Sequence, residues 1–112
     1  MINLYVDEGY AFDFLSILHI KKNKSNQSMK NWEDCSDYLK SQLPNDLFNS
    51  IIHSQEYKDM IKINQKTFDA VEKARYGEIS AKEVDNANME RYHAKIKLQN
   101  KFFNNKSTEE KT

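Results

Sequence analysis

Glycine and proline are almost missing from this sequence, with two glycines and one proline in 112 residues. An all-β chain needs turn residues every ~8–12 positions, so the shortage predicts helices. A single cysteine, Cys35, excludes a disulfide framework and a thiolate zinc site. Net charge is lacking too: Lys+Arg and Asp+Glu stand at 17 each, so no overall field draws the chain to DNA, RNA or an anionic membrane. No apolar run approaches the ~18 residues of a membrane span, and the first residues lack the basic stretch and apolar core of a secretory signal. The expectation is one small cytoplasmic helical domain over residues 1–103, followed by a polar, disordered tail over 104–112. Arginine is scarce against fifteen lysines, and asparagine occurs twelve times. That bias fits an AT-rich coding sequence, and it singles out Arg75 and Arg91 as the places where a guanidinium replaces the default lysine.

What is present is helical periodicity. Asp7 is placed to cap a first helix, whose apolar residues (Tyr10, Phe12, Phe14, Leu15, Ile17, Leu18 and Ile20) fall on nearly every side. A helix apolar all round needs partners all round, from its own chain or another copy. The polar stretch Lys21 to Ser28 reads as a loop, and Asn31 as the start of a second helix carrying Trp32, Cys35, Tyr38, Leu39 and Leu43. Pro44 interrupts it, and Leu47, Phe48, Ile51 and Ile52 form one face of a short helix. Ser54 caps a long helix from Gln55 to Tyr76, which Gly77 ends. Ser80 and Glu83 form a capping box that opens the last helix. So short a connection predicts that the last two helices fold back as an antiparallel hairpin. Arms of about 22 residues span roughly 33 Å, longer than a compact globule of this size accommodates. The fold class is therefore all-α, a small helical bundle with a long antiparallel C-terminal hairpin. A homodimer or higher homo-oligomer is expected to cover its surplus apolar surface.

Polar residues break the apolar stripes in three places: Asp13 with Ser16, Asn64, and the row Asn88, Arg91, Lys95. If the first helix packs on the hairpin, carboxylates face an Arg/Lys row inside the bundle. Two outcomes stand open. The charges can pair with each other and fix the register of the helices. Alternatively Asp13, Asn64, Asn88, Arg91 and Lys95 can line a pocket for a small anion such as a phosphate, nucleotide or dicarboxylate. No metal or cofactor is expected, and no catalytic residue can be assigned from the sequence. Asp69 and Glu72 share a helix face and could ligate Mg²⁺, as paired acidic motifs do in all-α nucleotide pyrophosphatases. The second motif is poor, since Glu33 and Asp37 sit four apart and Asp85 and Glu90 five apart. His19, His53 and His93 are scattered. The lysines around residues 21–30 and 95–106 read as a solvated loop and a helix end, so nucleic acid is not an expected partner.

Asp7-Glu8-Gly9, followed by Asp13-Phe-Leu-Ser-Ile-Leu-His-Ile-Lys21, resembles a segment shared by a bacterial and phage family of small helical proteins. That family is built on a Gly-Glu-Leu…Asp-Lys…Thr-Ile-Leu-Glu-Ile-Lys theme, and it carries no known activity. Asn64, Phe68 and Glu72, then Asn88, Arg91 and Lys95, are similar to its later Asn, Trp, acid and Asn, Arg, Lys positions. Phe68 stands where the pattern has tryptophan, and His19 where it has glutamate. The resemblance covers less than half of the chain and implies helices with a polar cluster. Helical chorismate mutases offer a looser, fold-level analogy, with more arginines than this chain holds. The sequence thus predicts a non-catalytic helical oligomerisation or protein-interaction protein, with a small-anion binder or enzyme as the alternative.

Overall fold

The structure, a computed structural model, describes residue 2 and residues 5–103. Five helices follow in order: α1 (Glu8–Lys21), α2 (Asn26–Gln42), α3 (Leu47–Ile52), α4 (Gln55–Arg75) and α5 (Ala81–Phe102). The described residues contain no strand. Helix starts follow local chemistry: the side chains of Asp7, Ser25, Ser54 and Ser80 each accept a backbone N–H three residues on. Each satisfies one of the N–H groups that a helix leaves without an internal partner. Between α2 and α3, Asn45 and Asp46 take left-handed φ of 48° and 57° just after Pro44, a conformation these two side chains tolerate better than most.

α4 ends at Arg75 with Tyr76 as its C-cap, and Gly77, with a φ of 73°, turns the chain back on itself. The contacts across the turn run antiparallel. Thr67 approaches the carbonyl of Ala87, Lys66 pairs with Glu90 at 3.1 Å, and far down the arms Lys101 pairs with Glu56 at 2.7 Å. α1 lies across this hairpin, touching both arms; α2 packs on α1, and α3 bridges α2 and α4. The core sits where α1, α3, α4 and α5 meet: Phe12 and Leu15, Phe48 and Ile51, Tyr57 and Met60, and Leu98. Phe12 stacks tilted on Phe48 at 6.0 Å and edge-on to Tyr57 at 6.2 Å, spacings at which aromatic pairs attract.

α2 is the outlier. It buries no residue fully and leans on α1 through Trp32, Cys35 and Leu39. It also begins at Asn26, capped by Ser25, earlier than Asn31. Its first turn is fully polar, so apolar periodicity gave no sign of it. Its N-cap Ser25 accepts from Ser28 N at 3.0 Å, the hydrogen bond that sets the true start. The long hairpin makes the chain oblong, 46 × 37 × 29 Å with a radius of gyration of 14.8 Å. The tail expected at 104–112 lies outside the described residues. Among those residues, no helix is long and apolar enough to cross a membrane.

Candidate functional site

α1 presents Asp13 and Ser16 one turn apart on the side facing the hairpin, where α4 supplies Asn64 and α5 supplies Arg91. The Asn64 amide donates both of its hydrogens, to Asp13 Oδ1 at 2.9 Å and to Ser16 Oγ at 2.6 Å. Ser16 in turn donates to the Asp13 carbonyl at 2.6 Å. Arg91 Nη2 donates to the second carboxylate oxygen, Asp13 Oδ2, at 3.0 Å. The Asp13 side chain is 7% exposed and that of Arg91 25%, so this ion pair is shielded from solvent on one side and open on the other. Three helices are joined through one carboxylate, both of whose oxygens are engaged. Two atoms of the cluster, Asn64 Oδ1 and Arg91 Nε, are buried without a hydrogen-bond partner among the described residues.

The other members of the α5 row diverge. Lys95 Nζ lies 5.7 Å from the centre of the Tyr10 ring. Asn88 is half-buried and makes no hydrogen bond to the cluster. Of the five residues proposed from the sequence, Asp13, Asn64 and Arg91 meet, and Asn88 and Lys95 flank them. Asp69 and Glu72 lie apart from all of these. Asp69 accepts from Gln65 at 3.2 Å and Glu72 faces Arg75 at 3.7 Å, and both acids are exposed. Among the described residues no three His, Cys, Asp or Glu side chains gather closely enough to hold a metal ion. An open groove of about 810 Å³ runs between α4 and α5, with Lys62, Lys66 and Lys73 on one wall and Glu83 and Glu90 on the other. It shares no residue with the Asp13 cluster.

Sequence reasoning missed a second polar contact. Gln99 is completely buried and accepts the Gly9 N–H at 2.7 Å while donating to Glu8 at 3.2 Å. Gly9 makes this crossing possible, since a Cβ there would lie 2.8 Å from the Lys95 carbonyl oxygen. Glycine in a helix is normally a cost, and that cost was the available signal of a close approach.

A third group surrounds His19. Its ring meets Trp32 edge-on at 5.7 Å and Tyr57 at 6.3 Å, and Lys22 Nζ sits 4.4 Å above the Trp32 ring. Burial and then the Lys22 charge push the imidazole below its ordinary pKa, while burial pushes the Cys35 thiol and the Tyr57 hydroxyl up. Trp32 Nε1, Ser36 Oγ and Tyr57 OH are buried here without partners among the described residues.

The surface feature that stands out is the outer side of α1. Tyr10 remains 46% exposed and Phe14 50%, and Ile17 and Lys21 continue their line one and two turns on. The opposite side of the same helix supplies Phe12 and Leu15 to the core. α1 is thus apolar both inside and outside, as its sequence requires. At its C-terminal end Lys21 Nζ lies 5.6 Å from the Phe68 ring centre, so the stripe borders α4. Compared with protein-family models, curated proteins and solved structures, the chain matches none of them.

Proposed function

We propose that the chain is a non-catalytic helical interaction protein that assembles with copies of itself through the outer stripe of α1. The observation that carries this reading is the exposure of Tyr10 and Phe14 on a helix whose other side is already core. Soluble domains scatter exposed apolar side chains singly, and aligned aromatics mark contact surfaces. The polar cluster supports the same reading, because the Arg91 guanidinium is met by the chain's own Asp13 carboxylate. The energetics set a scale. Covering the exposed halves of two aromatic rings on each of two copies contributes about 4 kcal/mol. Association costs at least about that much, so the contact must extend beyond the two rings.

The test is molecular mass by light scattering at rising concentration. A dimer is expected, and Phe14→Glu should yield a folded monomer with the helix content of the parent chain. A chain that stays monomeric throughout the micromolar range removes the reading.

One observation favours a second reading, a small-anion site at Asp13, Asn64 and Arg91 with Asn88 and Lys95 beside them. Arg91 Nε is a buried donor without a partner among the described residues, and an anion can accept from it. An anion there has to displace Asp13 from Arg91. A thermal-shift series with phosphate, nucleotides and dicarboxylates tests it, and a ligand at a hundred times its Kd should stabilise by about 2.7 kcal/mol. No shift with any of them excludes the site.

A further inference from the structure

We propose that α2 (Asn26–Gln42) is a strap that unfolds on its own from an otherwise intact molecule. Opening is favoured by polar atoms that its closure strands, and it brings water to His19 of α1 and Tyr57 of α4. The proposal needs a single copy and stands apart from self-association.

The other helices are tied to one another by directed contacts. Asp13 joins α1 to Asn64 and Arg91, Gln99 joins α5 to Gly9, and Lys66 and Lys101 join the two arms of the hairpin. α3 is anchored by Phe48 and Ile51, which lie in the core. α2 is held differently. Among the described residues, every hydrogen bond and ion pair of residues 26–42 stays within residues 25–42. None of its residues is fully buried, and Trp32, Cys35 and Leu39 are only partly covered. The seam to α1 consists of ring contacts, His19 edge-on to Trp32 and Lys22 above it, and of apolar surface.

Closure also strands polar atoms. Trp32 Nε1 and Ser36 Oγ on α2, and Tyr57 OH on α4, are buried without a hydrogen-bond partner among the described residues. Tyr57 OH lies near enough to Cys35 for the thiol to help raise its pKa, which places it beneath α2. A buried donor or acceptor left unpaired costs its full desolvation, so each of the three weakens the closed state against an open, hydrated one.

Both ends of α2 permit the change. Residues 22–25 before it and 43–46 after it lie outside helices. Asn45 and Asp46 sit at left-handed φ, and Asp46 gives α3 no side-chain cap. Freed from α1, the strap does not persist as a helix. Its 17 residues are rich in Asn, Ser, Asp and Gln, and isolated polar helices of that length are marginal in water. Segments that open separately are those with few buried apolar contacts, as α2 has.

Hydrogen exchange read by mass spectrometry tests this on the parent chain. Amides of residues 26–42 should exchange at least about tenfold faster than the slowest amides of α4 and α5, with a shallower response to sub-denaturing urea. Two variants separate an independent strap from a merely exposed helix. Gly77→Ala meets no neighbour and strains only the hairpin turn. It should speed the slowest α4 and α5 amides about fivefold and leave α2 unchanged, because the hairpin is intact in both states of the strap. Tyr57→Phe keeps the ring and removes the stranded hydroxyl, so it should slow α2 about fivefold. An α2 that exchanges at the pace and urea slope of α4 and α5, or that speeds up with them in Gly77→Ala, overturns the proposal. So does an α2 that exchanges as fast or faster in Tyr57→Phe, since the hydroxyl then does not burden the closed state.

Discussion

Arg91 reaches from α5 to Asp13 on α1, Nη2 to Oδ2 at 3.0 Å, and Asn64 of α4 holds the other oxygen of the same carboxylate. One side chain from each of three helices therefore meets at a single buried anion. Its cost and benefit are unevenly divided. Taking a carboxylate out of water is expensive, and the partners offset that expense only while both are in place.

Arg91→Ala should therefore destabilise the fold by about 2 kcal/mol, less than for a fully buried pair because the guanidinium is partly solvated. Asp13→Asn combined with Arg91→Ala should recover part of the loss, since it removes the stranded charge. Urea denaturation of the four members of this double-mutant cycle measures the coupling. Additive losses would mean that the pair does not act as a unit.

Gly9 and Gly77 make opposite predictions about the same substitution. Gly9→Ala gains up to about 1 kcal/mol of helix propensity but drives a methyl group against the Lys95 carbonyl, a backbone atom that cannot step aside. The net effect should be a loss of about 2 kcal/mol or more, with α1 shifted off α5. Gly77→Ala meets open space and suffers only from its positive φ, for a loss of about 1 kcal/mol. Melting curves of the two variants should rank Gly9→Ala as clearly the more damaging.

His19 gives the stability a pH dependence of defined sign. Its folded pKa lies below the ordinary 6.5, through burial first and Lys22 second. As pH falls through about 6.5 the unfolded chain takes up the proton before the folded one does, so stability drops on the acid side. Above that pH the contribution is fully present. The rings packed against it from α2 and α4 are Trp32 and Tyr57, and neither titrates in that window in the folded state. His19→Gln should flatten the stability profile between pH 7 and pH 5 relative to the parent chain. An unchanged slope would assign the acid sensitivity to other groups.

The hairpin was legible in the sequence because its signals are local. Ser54, Gly77 and Ser80 each act within a turn of their own position, and the structure places each where the sequence puts it. The all-round apolarity of α1 was legible for the same reason. The start of α2 was hidden because Ser25 caps a turn with no apolar residue in it. The meeting of Asp13, Asn64 and Arg91 was legible only as polar interruptions in apolar stripes. Which member of the α5 row would face inward depends on the crossing of α1 over α5, and that crossing is set by Gly9. Gln99 continues the row Asn88, Arg91, Lys95 one turn on, but a polar residue at the end of a polar row does not declare its own burial. That burial follows from the crossing of α1 over α5 at Gly9. Sequence separation of 90 residues between Gly9 and Gln99 leaves no local trace.

Sedimentation equilibrium of the parent chain and of Phe14→Glu, at matched concentrations across the micromolar range, bears on the central proposal most directly. The parent should fit a reversible dimer with a micromolar Kd, and Phe14→Glu should sediment as a folded monomer. A parent chain that remains monomeric, or a Phe14→Glu variant that dimerises as strongly as the parent, contradicts the account.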